Sequence, residues 1–180
     1  IALDLIAKMP ILMDGAYQAK RHKYDNASLI MHPLRPEENT AESILSLIRN
    51  DRSYTKAEAQ LLDTLLALHA DHGGGNNSTF ACRVATSSGT DPFAAYTSAI
   101  NSLKGPRHGG ANIKVIQMLD DIKAHVAHWE NEGEVADYLT KILRKEANDG
   151  SGLIYGMGHA VYTLSDPREV ILKQRARHLA

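Results

Sequence analysis

Apolar residues recurring at the spacing of an α-helix, each run opened by a capping signal, constrain this chain more than any other feature. Val115, Met118, Leu119, Ile122 and Val126 stand at i, i+3, i+4, i+7 and i+11, one face of a helix starting near Ala111. Asn39-Thr-Ala-Glu42 and Thr55-Lys-Ala-Glu58 read as capping boxes, and they launch apolar runs from Ile44 to Ile48 and from Leu61 to Leu68. Asp91-Pro92 and Asp166-Pro167 each place an N-cap residue before the one best tolerated at the first helical position. Val135, Tyr138, Leu139, Ile142 and Leu143 after Gly133 give one more helical face. No sustained two-residue alternation and no internal repeat is present, so the expected fold class is all-α.

Elsewhere the expectations are more local. Residues 1–24 read as helical, with Pro10 expected to kink or end the first piece. His32-Pro-Leu-Arg-Pro36 reads as an irregular connector. Asn77 or Ser78 is expected to cap a helix running to about Ser88, whose small residues Ala81, Cys82, Ala85, Ser87 and Ser88 suit deep burial against a partner helix. The chain opens without Met and closes inside a helical pattern, so it reads as a fragment of a longer protein.

Composition narrows the classes. A hydrophobic share of 43% suffices for a sizeable core. The formal net charge of −1 leaves no basic footprint for nucleic acid. No apolar run approaches the roughly 20 residues needed to cross a bilayer, and no signal-peptide pattern opens the chain. The lone Cys82 has no internal disulfide partner, which fits a reducing, cytoplasmic setting, and it reads as a structural thiol.

Chemistry concentrates in three glycine-rich breaks, each holding a histidine: His72 before Gly73-Gly-Gly75, His108 before Gly109-Gly110, and His159 after Gly156-Met-Gly158. Glycine lets backbone approach a ligand closely. His108 falls at or just before a helix's first turn, where unpaired N–H groups and the helix dipole disfavour a cationic imidazole. A neutral histidine so placed suits hydrogen-bond donation to a carbonyl oxygen. Taken alone, a solvated loop histidine is the plainer reading; three in the same setting, with Arg168 able to clasp a carboxylate, favour a site. Two rival motifs are weaker. Gly156-Met-Gly158-His-Ala-Val161 lacks the third glycine of a dinucleotide fingerprint and a preceding strand. The pairs His69/His72 and His125/His128 lack the spacing and cysteines of a zinc site, so no metal is expected.

The blocks His69-Ala-Asp-His72-Gly-Gly-Gly-Asn, Leu103-Lys-Gly-Pro-Arg-His108-Gly-Gly-Ala-Asn112 and Gly156-Met-Gly-His159-Ala-Val-Tyr-Thr-Leu-Ser-Asp-Pro-Arg168 closely resemble citrate synthases in order and separation. The Thr86-Ser-Ser-Gly-Thr-Asp-Pro92 corner resembles them too, and the likeness runs over most of the chain. The resemblance implies part of a large domain over residues 1–107, with dimer-forming helices, and the start of a small domain over 108–180. It implies condensation of acetyl-CoA with oxaloacetate and water to citrate and CoA, with acetyl-CoA as substrate and no separate cofactor. It places His108 on the thioester carbonyl oxygen, His159 on the oxaloacetate ketone, and His72 and Arg168 on oxaloacetate. The backbone at Leu153, Ile154 and Gly156 would line the adenine end of the CoA site, and the protein would be a homodimer through the helix near residues 78–88.

The chain departs from the family pattern at Gly73, where an acidic residue is frequent, and at Thr163, where a basic residue helps bind the CoA phosphates. In the family the aspartate that removes the methyl proton, and further carboxylate-binding arginines, follow the His159 block and fall beyond residue 180. The isolated fragment is therefore expected to be inactive. A 2-methylcitrate synthase using propionyl-CoA is the same-class alternative, and a non-catalytic helical binding module on the same scaffold is the other.

Overall fold

The computed structural model describes residues 1–70, 73–105, 108–158, 162–177 and 179. Among them are eight helices and no strand: α1 (Ala2–Tyr24), α2 (Thr40–Ile48), α3 (Lys56–His69), α4 (Asn77–Ser87), α5 (Pro92–Leu103), α6 (Ala111–His125), α7 (Glu132–Leu143) and α8 (Pro167–Ala176). The all-α expectation holds. The chain divides into two compact units, residues 1–72 with 164–180 and residues 73–163.

In the first unit α2 packs on α1 and α3, and α3 on α8. Both capping boxes close reciprocally. The Asn39 N–H donates to Glu42 Oε2 at 2.9 Å and the Glu42 N–H to Asn39 Oδ1 at 3.0 Å. Thr55 and Glu58 repeat the pattern at 2.7 and 3.2 Å. Each box satisfies donors that the first helical turn cannot pair internally, so the sequence itself starts these helices. Ala41, Ile44, Leu45 and Leu47 of α2 are buried, and burial of a side chain the size of Leu47 is worth about 1.5–3 kcal/mol. In the connector before α2, Glu38 accepts from Arg35 Nη1 at 3.1 Å and from Ser46 Oγ at 2.5 Å, tying the loop to the helix.

Of the two outcomes expected at Pro10, an end to the helix does not occur: one helix runs from Ala2 to Tyr24 with Pro10 buried inside it. Proline removes a single donor, and here the ring is covered by packing, with Asp14 and Gln18 buried on the same side and Gln18 Nε2 donating to Asp14 Oδ1 at 3.2 Å.

In the second unit Met118, Ile122 and Val126 from α6 and its end meet Tyr138 and Ile142 from α7 to form the core, with Ile154 and Tyr155 of the following loop packed against it. Leu119, expected on the same face, remains 42% exposed. α4 packs on α5, and the Asn77 side-chain amide donates to the Ser102 carbonyl at 3.3 Å. The cap of α4 is Asn76, one residue before the expected pair, its side chain accepting from the Ser78 N–H at 3.0 Å. The expected deep burial of this helix is also corrected. Ser78 is its one buried residue, Ala81, Cys82 and Ala85 are half-buried, and Ser87 and Ser88 are exposed. Small residues permit a close approach by another helix without supplying one.

Candidate active site

His108 sits in the turn between α5 and α6. Its N–H donates to the Gly105 carbonyl at 3.2 Å, and the N–H of Gly109 reaches back to the Leu103 carbonyl at 2.9 Å. A Cβ at Gly109 would collide with that same Leu103 carbonyl oxygen, so the turn that presents His108 requires glycine for close approach. The imidazole is exposed. α6 opens on Gly110 with no side-chain cap, whereas α2, α3, α4, α5, α7 and α8 each open on a side-chain oxygen accepting from the first turn.

The loop after α7 reaches the same end of α6. Gly156 has φ +82°, and a Cβ there would stand 3.2 Å from Val115 Cγ2, so a side chain is disfavoured both by the backbone conformation and by the neighbour. Ile154 is half-buried against the α6/α7 core and Leu153 is 56% exposed. Asp149 in this loop accepts from Lys114 Nζ at 3.0 Å and from the Tyr155 hydroxyl at 2.7 Å. Hydrogen bonds from Ser151, Tyr155 and Lys114 hold the Asp149 carboxyl well below the usual carboxylate range, and Asp149 in turn raises the Lys114 ammonium. His108 and the backbone of residues 153–156 thus converge on one helix start.

Arg168 belongs to the other unit, in the first turn of α8. The N-cap Asp166 accepts from the Arg168 backbone N–H at 2.9 Å and also from its guanidinium, through Nε at 3.0 Å and Nη2 at 2.6 Å. The Asp166 carboxylate thus occupies the Nε–Nη2 fork of the guanidinium and holds its plane. Arg168 lines a groove of about 650 Å³ between α3 and α8, with Leu61, Leu65, Leu68 and Leu172 as apolar wall and His69, Lys173, Asp166 and Glu169 as polar lining, Lys173 standing 3.8 Å from Glu169. The sequence reading did not place Lys173 or His69 at this groove. Leu65 and His69, at i and i+4 on α3, were a legible signal for one helical face. His72 and His159, both named as site residues from the sequence, lie outside the described residues.

His125 and His128 serve local roles. His125 stacks on Tyr138 with ring centroids 5.2 Å apart, and His128 Nδ1 lies 3.1 Å from Glu134 Oε2. Among the described residues no group of three or more His, Cys, Asp or Glu side chains is arranged to hold a metal ion. Nor is any described helix long and apolar enough to cross a membrane.

The described residues fold as an all-helical chain in which a glycine-dependent turn carries His108 to the start of α6. The family model for the citrate synthase C-terminal domain matches residues 1–180. The chain is 34% identical over 178 residues to citrate synthase from Corynebacterium glutamicum, covering 97% of this chain and 38% of that protein. It is 36% identical over 180 residues to citrate synthase from Acidithiobacillus ferridurans, covering 100% of this chain and 42% of that protein. The Haloferax volcanii citrate synthase is 34% identical over 180 residues, 42% of its length. The chain belongs to the citrate synthase family and spans about two fifths of the length of these relatives.

Proposed function

We propose that the protein containing these residues condenses acetyl-CoA with oxaloacetate and water to give citrate and CoA. The observation that carries this reading is the His108 turn, built on a glycine that tolerates no side chain and set before an uncapped helix start. In the reaction the methyl group beside a thioester must lose a proton, and negative charge gathers on the thioester oxygen. His108 donates a hydrogen bond to that oxygen, and donors aimed at developing charge are among the largest contributors to catalysis. His159 donates to the oxaloacetate ketone and protonates it as the carbon–carbon bond forms, while His72 and Arg168 hold oxaloacetate. Arg168 contributes a bidentate match to one carboxylate. The backbone at Leu153, Ile154 and Gly156 lines the adenine end of the CoA site.

The assignment is tested in the full-length protein. His108→Ala should lower kcat by about 100- to 1,000-fold, the usual cost of one such donor, and undiminished turnover would refute the role. Assay of acetyl-CoA against propionyl-CoA in parallel decides between citrate and 2-methylcitrate, and absence of turnover with both would favour a non-catalytic module. Residues 1–180 alone should form no citrate, because abstraction of the methyl proton needs a positioned base. Within this chain Asp149 is committed to Lys114 and Tyr155, and Asp166 to Arg168.

In the complete protein residues 1–107 would belong to a large domain and residues 108–180 to the start of a small one. The complete protein would be a homodimer through α4. Phe80 and Val84, 62% and 53% exposed, and the half-buried Ala85 support this reading. Light scattering should give twice the chain mass, and Ala85→Trp should shift it to one; an unaltered monomer in both cases would exclude the interface. A cytoplasmic location goes with this reading, since Cys82 is the chain's one thiol. Recovery of the protein in a secreted or membrane fraction would overturn it.

A further inference from the structure

We propose that Lys114 and Asp149 are positioning residues, a clamp that fixes the backbone of residues 153–156 against the helix start beside His108. The inference rests on the acyl-CoA reading given above for that backbone, and it names residues to which that reading assigns no part.

The connections run without a break from helix to loop. Lys114, in the first turn of α6, bonds Asp149 Oδ2 at 3.0 Å. The same oxygen accepts the Tyr155 hydroxyl at 2.7 Å, while Asp149 Oδ1 accepts the Ser151 N–H at 3.1 Å. The Tyr155 hydroxyl also lies 3.2 Å from Ser151 Oγ, which joins the two side chains at Asp149. Ser151 Oγ also accepts the Leu153 N–H at 3.2 Å, so the chain of bonds ends on the backbone that would meet CoA. Lys114 Nζ stands 5.8 Å from the Tyr155 ring centroid, within cation–π range. Gly156 completes the fit by lying directly on Val115. Ile154 and Tyr155 are meanwhile anchored in the α6/α7 core.

The consequence is geometric. His108 precedes α6 and the loop is tied to its first turn, so the thioester donor and the nucleotide-end backbone are referenced to one rigid element. Freeing the loop would cost ordering entropy on CoA binding and leave the donor in place. The pair is half-exposed, with side-chain accessibilities of 47% and 29%, so its role is to hold a geometry more than to stabilise the fold.

Lys114→Met and Asp149→Asn, made separately in the full-length protein, should each raise the KM for acyl-CoA by about threefold to fivefold, the upper part of the range expected when one half-exposed ion pair is lost. The KM for oxaloacetate and kcat should stay within about twofold, and Lys114→Arg should restore most of the loss. Amide hydrogen exchange at residues 151–156 is measured in the same variants and should accelerate. Unchanged exchange would overturn the clamp. Faster exchange with an unchanged acyl-CoA KM, or an equal rise in both KM values, would overturn its positioning role. If the unsubstituted protein condenses neither acyl-CoA, the acyl-CoA reading fails, and the clamp then stands or falls on the exchange data alone.

Discussion

The starts of α3 and α6 solve the same problem in opposite ways. Every helix begins with backbone donors that lack intrahelical partners. At α3 they are met by side chains: the Thr55 hydroxyl accepts from the Glu58 N–H, the Glu58 carboxylate accepts from the Thr55 N–H, and Arg49 bonds Glu58 at 2.7 Å. At α6 the preceding backbone makes the turn, through Gly109 to Leu103 and His108 to Gly105, and no side chain caps the helix. The first arrangement draws stability from exchangeable side chains. The second depends on a shape that only a residue without Cβ can take, and it leaves the surface beside His108 clear of capping groups. The starts of α2, α3, α4, α5, α7 and α8 are closed by side chains, and those of α1 and of α6, which follows the candidate catalytic histidine, are not.

The sharpest way to break this comparison is at Gly109. Gly109→Ala brings a Cβ onto the Leu103 carbonyl oxygen, and the turn must move to make room. The cost in stability should be about 1–3 kcal/mol, as for other overpacked positions. The effect on turnover should be larger, about 100-fold, since a displacement near 1 Å of a reacting group has that consequence. Gly105→Ala is the control, because a Cβ built there meets no described atom within 4 Å beyond the residue itself and its chain neighbours; it should leave unfolding midpoint and turnover close to the parent's. Equal effects of the two substitutions, measured by urea unfolding and steady-state assay, would show that the His108 turn has no special requirement.

The contrast also explains what could be read from the sequence. Capping boxes were legible because both partners lie within four residues and the bonds they form are local. The Asp-Pro starts of α5 and α8 were legible for the same reason, although the second use of Asp166, orienting the Arg168 guanidinium, was not anticipated. His108 was legible as the residue before a helix, and the requirement at Gly109 emerged only when Leu103 folded back beside it. Expectations that depended on distant packing fared worse. Pro10 was read as a kink or an end, and the end is absent, because its local cost is plain in sequence and the packing that covers it is not. The small residues of α4 showed where another helix could approach, and in this chain α5 covers them partly. Lys114 and Asp149, 35 residues apart in sequence, carry no pattern that announces their pairing.

The smallest expected effect belongs to the side-chain start. The Glu58 carboxyl is held down to about 2, first by the Arg49 hydrogen bond and then by the Thr55 N–H and hydroxyl, against an ordinary value of 4.5. A depressed carboxylate favours the folded state while it is ionised. Its contribution is therefore complete above pH 4.5 and declines as pH falls from there through 2, where the folded protein takes up the proton the unfolded chain already binds. Glu58→Gln keeps an acceptor for the Thr55 N–H and removes the charge facing Arg49, so the variant should be slightly less stable at neutral pH. The gap between parent and variant in urea midpoint should narrow between pH 4.5 and 2, because only the parent has this group to titrate. Turnover at neutral pH should not change, since α3 begins far along the chain from the His108 turn and Glu58 lines neither that turn nor the groove by Arg168. Parallel curves for the two proteins across that interval would mean that Arg49 and Glu58 are not coupled in solution, and that the α3 start rests on the Thr55 cap alone.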